Sequence, residues 1–132
     1  MNDVEHELYT IVAKALREQY ADIFVTGEPV NAPPKFPCVS FYEDDNYTSR
    51  DDLDSSSTEK FVVMRYRVDV YTNDASGKKD KAKDIMSVIE PILYLKDFTR
   101  FSRTPLNDLG DKIYHLVATY RVKFDGDAFY RV

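Results

Sequence analysis

Few side chains in this sequence can carry proton transfer or nucleophilic attack: two histidines, His6 and His115, and one cysteine, Cys38. A catalytic triad needs a nucleophile, a base and an orienting acid within hydrogen-bond reach. Neither histidine has a serine or cysteine nearby in sequence that suggests such a nucleophile, and a histidine in mid-strand is most often structural. Cys38 follows Pro37 where a strand is expected to begin, a place for a small half-buried residue, and nothing local favours its thiolate. A single cysteine can neither close an internal disulfide nor build a zinc site.

Acidic residues concentrate in one stretch that holds Asp44, Asp45, Asn46, Asp51, Asp52 and Asp54, the raw material of a calcium or magnesium site. The spacing does not fit. Aligned as a calcium loop from Asp44, it places Ser49 where glycine is required and Ser55 where a bidentate glutamate is required. A solvated, self-repelling loop is expected instead, with no metal and no cofactor. The four glycines, Gly27, Gly77, Gly110 and Gly126, are too scattered for a phosphate-binding loop. Basic residues recur along β-prone stretches as Arg65 and Arg67, Arg100 and Arg103, Arg121 and Lys123. The ordinary origin of such spacing is the wet face of an amphipathic sheet. A sharper reading is that these arginines meet the acidic loop of an adjacent copy, a head-to-tail contact that closes into a ring. The candidate interface or lumen set is therefore Asp44, Asp45, Asp51, Asp52, Asp54, Arg65, Arg67, Arg100 and Arg103.

The chain that must position these residues has 132 residues, 43% apolar and 31% charged, enough for one domain with its own core. No apolar run approaches the roughly 20 residues of a membrane span, and the acidic start lacks the pattern of a secretory signal, so a soluble cytoplasmic protein is expected. A net charge of -5 argues against sequence-independent binding to a phosphate backbone. Ten tyrosines and eight phenylalanines suit strands and protein interfaces.

Asn2 followed by Glu5 signals a helix start, and Val4, Leu8, Ile11, Val12, Ala15 and Leu16 give an amphipathic helix over 3–20. Residues 22–25 could form a short strand, followed by a proline-rich connection through Pro29, Pro33, Pro34 and Pro37. A strand is expected at 38–43, then a long acidic loop at 44–59. Period-two alternation marks 60–72, with Val62, Met64, Tyr66, Val68 and Val70 on one face and Arg65, Arg67 and Asp69 on the other. That polar face implies a sheet surface open to water or a partner. A second helix should begin near Lys78, capped by Asn73 or Ser76, and should kink at Pro91 or stop near Ile89. Segments 98–104 and 112–124 form a hairpin around the turn at 107–111, and the tail at 125–132 is expected to dock on a neighbour. The sum is a single α+β domain over 1–132, in the order α-β-β-α-β-β, with two helices on one face of an antiparallel sheet of about four strands.

The segment Phe36-Pro37-Cys38-Val39-Ser40-Phe41-Tyr42-Glu43, after an amphipathic helix and a proline-bearing connection, resembles the first main strand of siphophage tail terminator, or tail-completion, proteins. Tyr66-Arg67-Val68-Asp69-Val70-Tyr71 leading to a Lys-rich helix, then Asp97-Phe98-Thr99-Arg100 and Tyr120-Arg121-Val122, continues the likeness in the same order, over residues 4–124. These are patterns of strand and helix, not catalytic motifs. The resemblance implies a non-enzymatic virion protein of the tail and neck, assembled in the host cytoplasm. It implies a homo-hexameric ring that caps the tail tube, contacts the tube protein and the head-tail connector proteins, and lets DNA pass. The loop at 44–59 and the turn around Asn107 would then face the lumen, tube or neck. Two alternatives compete: a head-tail adaptor or minor capsid protein, and a small cytosolic metal- or ligand-binding α+β domain.

Overall fold

Apolar residues spaced by three and four produce α1 (Val4–Gln19) in the computed structural model, which describes residues 4–48 and 61–132. Leu8, Val12, Ala13 and Leu16 form its buried stripe, while Glu5 and Glu7 in the first turn and Arg17 in the last suit the helix dipole. The expected cap, Asn2, lies outside the described residues.

The sheet is built on β2 (Cys38–Thr48), β3 (Val62–Thr72) and β5 (Tyr114–Phe124), with β3 antiparallel to both neighbours. The expected hairpin pairs β4 (Thr99–Leu106) with β5, with an irregular register around Phe101 and with Pro105 inside β4. Two short strands add to the four counted from sequence, the first where residues 22–25 suggest a short strand and the second unforeseen. β1 (Phe24–Thr26) runs parallel to β2, and β6 (Phe129–Tyr130) pairs with Lys123 and Phe124 of β5. The order is β1-β2-β3-β5-β4, with β6 continuing the lane of β4, so the described sheet is six-stranded and mixed.

Two further expectations change. β2 continues through Thr48 with a bulge between Glu43 and Asp45, so residues 44–48, assigned to the acidic loop, are strand. Poor β-propensity there is overridden by pairing with β3 and by neutralisation of Asp44 by Arg65. Residues 49–59 of that loop lie outside the described residues. Helix α2 (Lys78–Tyr94) does not stop near Ile89 but runs through Pro91. The proline sits in the last turn, where it removes one helical N–H close to the natural end, and its own carbonyl accepts from Leu95 N at 3.0 Å. Neither Asn73 nor Ser76 caps α2; Gly77, in the left-handed region at φ 80°, stands at its start.

Both helices cover one face. Ala82, Ile85, Met86, Ile89 and Leu93 of α2 join the α1 stripe against Val39, Phe41, Tyr66, Val68, Val70, Leu116, Ala118 and Tyr120. Phe41 stacks on Tyr66 at 5.3 Å, and Tyr66 meets the edge of Phe98 at 5.6 Å. Beyond β5 the tail folds back: Phe129 lies 5.7 Å from Phe98 and 5.1 Å from Phe124, so it docks on its own core.

The opposite face is covered at one end by the chain itself. Because β1 and β2 are parallel, residues 27–37 must return across the sheet. Ser40 Oγ donates to the Glu28 carbonyl at 2.6 Å and Tyr71 OH to the Val30 carbonyl at 3.0 Å, which fixes the crossing over β2 and β3. The face expected to be open is therefore open only towards its other end.

Candidate functional site

Beneath that crossing the β3–β5 register sets Tyr71 opposite His115 and Asp69 opposite Val117, so Asp69 and His115 are diagonal neighbours. His115 is 3% exposed. Its Nδ1 lies 2.9 Å from Oδ1 of Asp108, on the β4–β5 turn, and its Nε2 lies 3.4 Å from Asp69 Oδ2. Tyr71 stacks on the imidazole at 4.2 Å, with its hydroxyl 3.2 Å from Asp69 Oδ2. Arg67 completes the cluster, donating to both Asp69 oxygens from Nε at 2.8 Å and Nη2 at 3.3 Å.

Burial of His115 opposes its charged form and is the largest single influence, but Asp69 and Asp108 together outweigh it and raise its pKa above the ordinary value. Burial likewise works against the Asp69 carboxylate, yet His115 and Arg67 hold its pKa below the usual range. A neutral imidazole carries one N–H, so either tautomer turns a lone pair towards one of the two carboxylates; the imidazolium suits both, hydrogen-bonded to Asp108 and in ion-pair contact with Asp69, to which Nε2 makes no hydrogen bond. The arrangement ties β3, β5 and the β4–β5 turn together.

Three features separate this cluster from a nucleophilic site. The ring is buried. Tyr71 lies between Cys38 and His115 in the cross-strand row, and burial, reinforced by Asp69, pushes the Cys38 thiol up to about 11, away from the reactive thiolate. Ser40, the hydroxyl in the adjoining row, commits its proton to Glu28.

The residues singled out from sequence do not form one surface. Arg65 and Arg67 project away from the helices, as the alternation predicts. Arg100 and Arg103 project to the helix side, because the irregularity at Phe101 restores both to one face, opposite Tyr120 and Ala118. Arg65 pairs with Asp44 at 2.9 Å, Arg67 with Asp69, and Arg100 with Glu90 of α2 at 2.9 Å, so three of the four arginines meet a carboxylate of their own chain. Arg103 is exposed on β4, and Asp45 accepts from the Asn46 backbone N–H. Asp51, Asp52 and Asp54 lie outside the described residues.

Sequence reading missed a second cluster, at the open end of the face away from the helices. Arg65 and Arg121 are directly opposed across β3 and β5, a like-charge pair that costs energy unless offset. Asp44 offsets one, and the ring of Phe101, 3.9 Å below the Arg121 guanidinium, offsets the other. Lys123 lies 5.8 Å from the Phe61 ring, which meets Tyr130 edge-on at 5.3 Å. Tyr47, Phe101 and Tyr130 are 41%, 60% and 43% exposed, large values for aromatic side chains.

Among the described residues no group of three or more His, Cys, Asp or Glu side chains is placed to hold a metal ion, and no helix is long and apolar enough to cross a membrane. No protein-family model matches the chain, and no curated protein matches its sequence.

Proposed function

We propose that this chain is a non-enzymatic structural protein that assembles into a ring, in the role of a tail terminator that caps the tail tube of a long-tailed phage and offers the surface where the head joins. The observation that carries the reading is the uneven cover of the sheet. Helices shield one face, while the open end of the other presents Tyr47, Phe101 and Tyr130 beside Arg65 and Arg121. Aromatic and arginine side chains are enriched where proteins meet, and two adjacent guanidiniums favour a partner that brings carboxylates. An acidic chain can supply those carboxylates from a second copy. The resemblance of the strand segments to tail terminators, in the same order of main elements, gives the ring its biological place.

The mass of the purified protein tests this directly. A hexamer supports a terminator; a dodecamer moves the reading to a head-tail adaptor; a chain that stays single at high concentration ends both. Arg65→Glu with Arg121→Glu should lower the oligomer mass while leaving the monomer folded, because neither side chain belongs to the buried network. Arg67→Glu is unsuitable, since it would set a second carboxylate against buried Asp69.

A further inference from the structure

On the helix side of β4 there is a cleft of about 630 Å³ lined by Pro91 and Tyr94 of α2, Phe98, Arg100 of β4, Tyr120 of β5 and Arg131 of the tail. We propose that this cleft binds a small, uncharged, phenol-type aromatic molecule. The proposal is independent of ring assembly.

Size comes first: ligand pockets commonly span about 300–1,000 Å³ and combine apolar walls with a few placed polar groups. Pro91, Tyr94 and Phe98 supply flat apolar walls suited to a ring. Tyr120 supplies the polar group. It is 1% exposed, lines the cleft, and its hydroxyl has no hydrogen-bond partner among the described residues. A buried hydroxyl in that state favours any group that can pair with it. Burial and then the nearby Glu90 carboxylate raise its pKa, so it keeps its proton and can both donate and accept.

The rim decides the charge of the ligand. Arg100 is held by Glu90 at 2.9 Å, and Arg131 is held by Asp97 at 3.2 Å and lies 4.5 Å from the Tyr94 ring centroid. Two cations and two carboxylates cancel, so the rim carries no net charge to favour an ionic ligand. A neutral ring carrying a hydroxyl disturbs neither pair, and its O–H matches the donor and acceptor capacity of Tyr120.

The test is a titration of the full chain followed by amide NMR with three probes of one ring size: p-cresol, toluene and 4-methylbenzoate. The expected result is saturable shifts at Tyr94, Thr99 and Arg100 with p-cresol, and about tenfold weaker binding of toluene, the factor one good hydrogen bond supplies. Weaker binding of 4-methylbenzoate is also expected. Tyr120→Phe should abolish the difference between p-cresol and toluene. Ser87→Trp, on an exposed position of α2 at the mouth, should block all three. An N-acetyltyrosinamide arm separates the two sources of the same chemistry: tighter binding than p-cresol assigns the cleft to a tyrosine of a polypeptide, and equal or weaker binding to a free phenol. Absence of saturable shifts at the cleft, or equal affinity for toluene and p-cresol in the unsubstituted chain, overturns the proposal.

Discussion

Along β3, side chains pointing at the helices and side chains pointing away are both buried at one end, by opposite means. Tyr66, Val68 and Val70 are enclosed by apolar contact with α1 and α2, whereas Asp69 and Tyr71 are enclosed in a polar network under the 27–37 crossing. Apolar burial is non-directional and tolerates small displacements. The polar network does not: a slip of one residue between β3 and β5 would put Asp69 and His115 on opposite faces of the sheet and take the cluster apart. One face supplies most of the stabilisation, and the other fixes the register.

Substitutions can sharpen that contrast. Phe41→Ala, at a fully buried position stacked on Tyr66, should cost about 4 kcal/mol in urea unfolding. Asp69→Ala should cost about 3 kcal/mol, because it takes one of two carboxylates from buried His115 and leaves Arg67 without its carboxylate. A loss below about 1 kcal/mol would mean that the network is not needed for folding.

The pH dependence is a subtler probe. The pKa of His115 is raised in the folded state, so its contribution is fully present below about 6.5 and fades as pH rises through the higher folded value. That of Asp69 is depressed, so its contribution is present above about 3.9 and is lost as pH falls through the lower folded value. Stability should therefore be greatest between these limits. His115→Phe, which keeps a ring for Tyr71 to stack on, should remove the decline on the alkaline side. Parallel stability curves for the two proteins above pH ~6.5 would show that the imidazolium is not shared between the carboxylates. The smallest effect is expected at the open end: Arg65→Glu should change monomer stability by less than about 1 kcal/mol, since the Asp44–Arg65 pair is about a third exposed.

Strict alternation made β3 and β5 readable from sequence, including which residues share a face, and spacings of three and four did the same for α1 and most of α2. Where local chemistry and tertiary pairing disagree, pairing prevails: Asp44, Asp45 and Asn46 read as loop, yet β3 draws them into β2. Pro91 reads as a break, yet so near the end of α2 it has little helix left to interrupt. Asp69 and His115 are 46 positions apart, and only strand register makes them neighbours. Asp108 joins them from a turn, where sequence spacing carries no signal. Arg100 and Arg103 are three apart, a spacing that regular pleating would split between faces; the irregularity at Phe101 reunites them.

That irregularity also governs how copies of this chain can meet. β4 is the longest of the edge strands among the described residues, and its irregular register, the missing N–H of Pro105 and the bulk of Arg100 and Arg103 all hinder another strand from adding to it. A neighbour is thus directed to side chains instead of exposed peptide groups. Association should leave the infrared signature of inter-strand pairing unchanged, and concentrated solutions should resist conversion to fibrils.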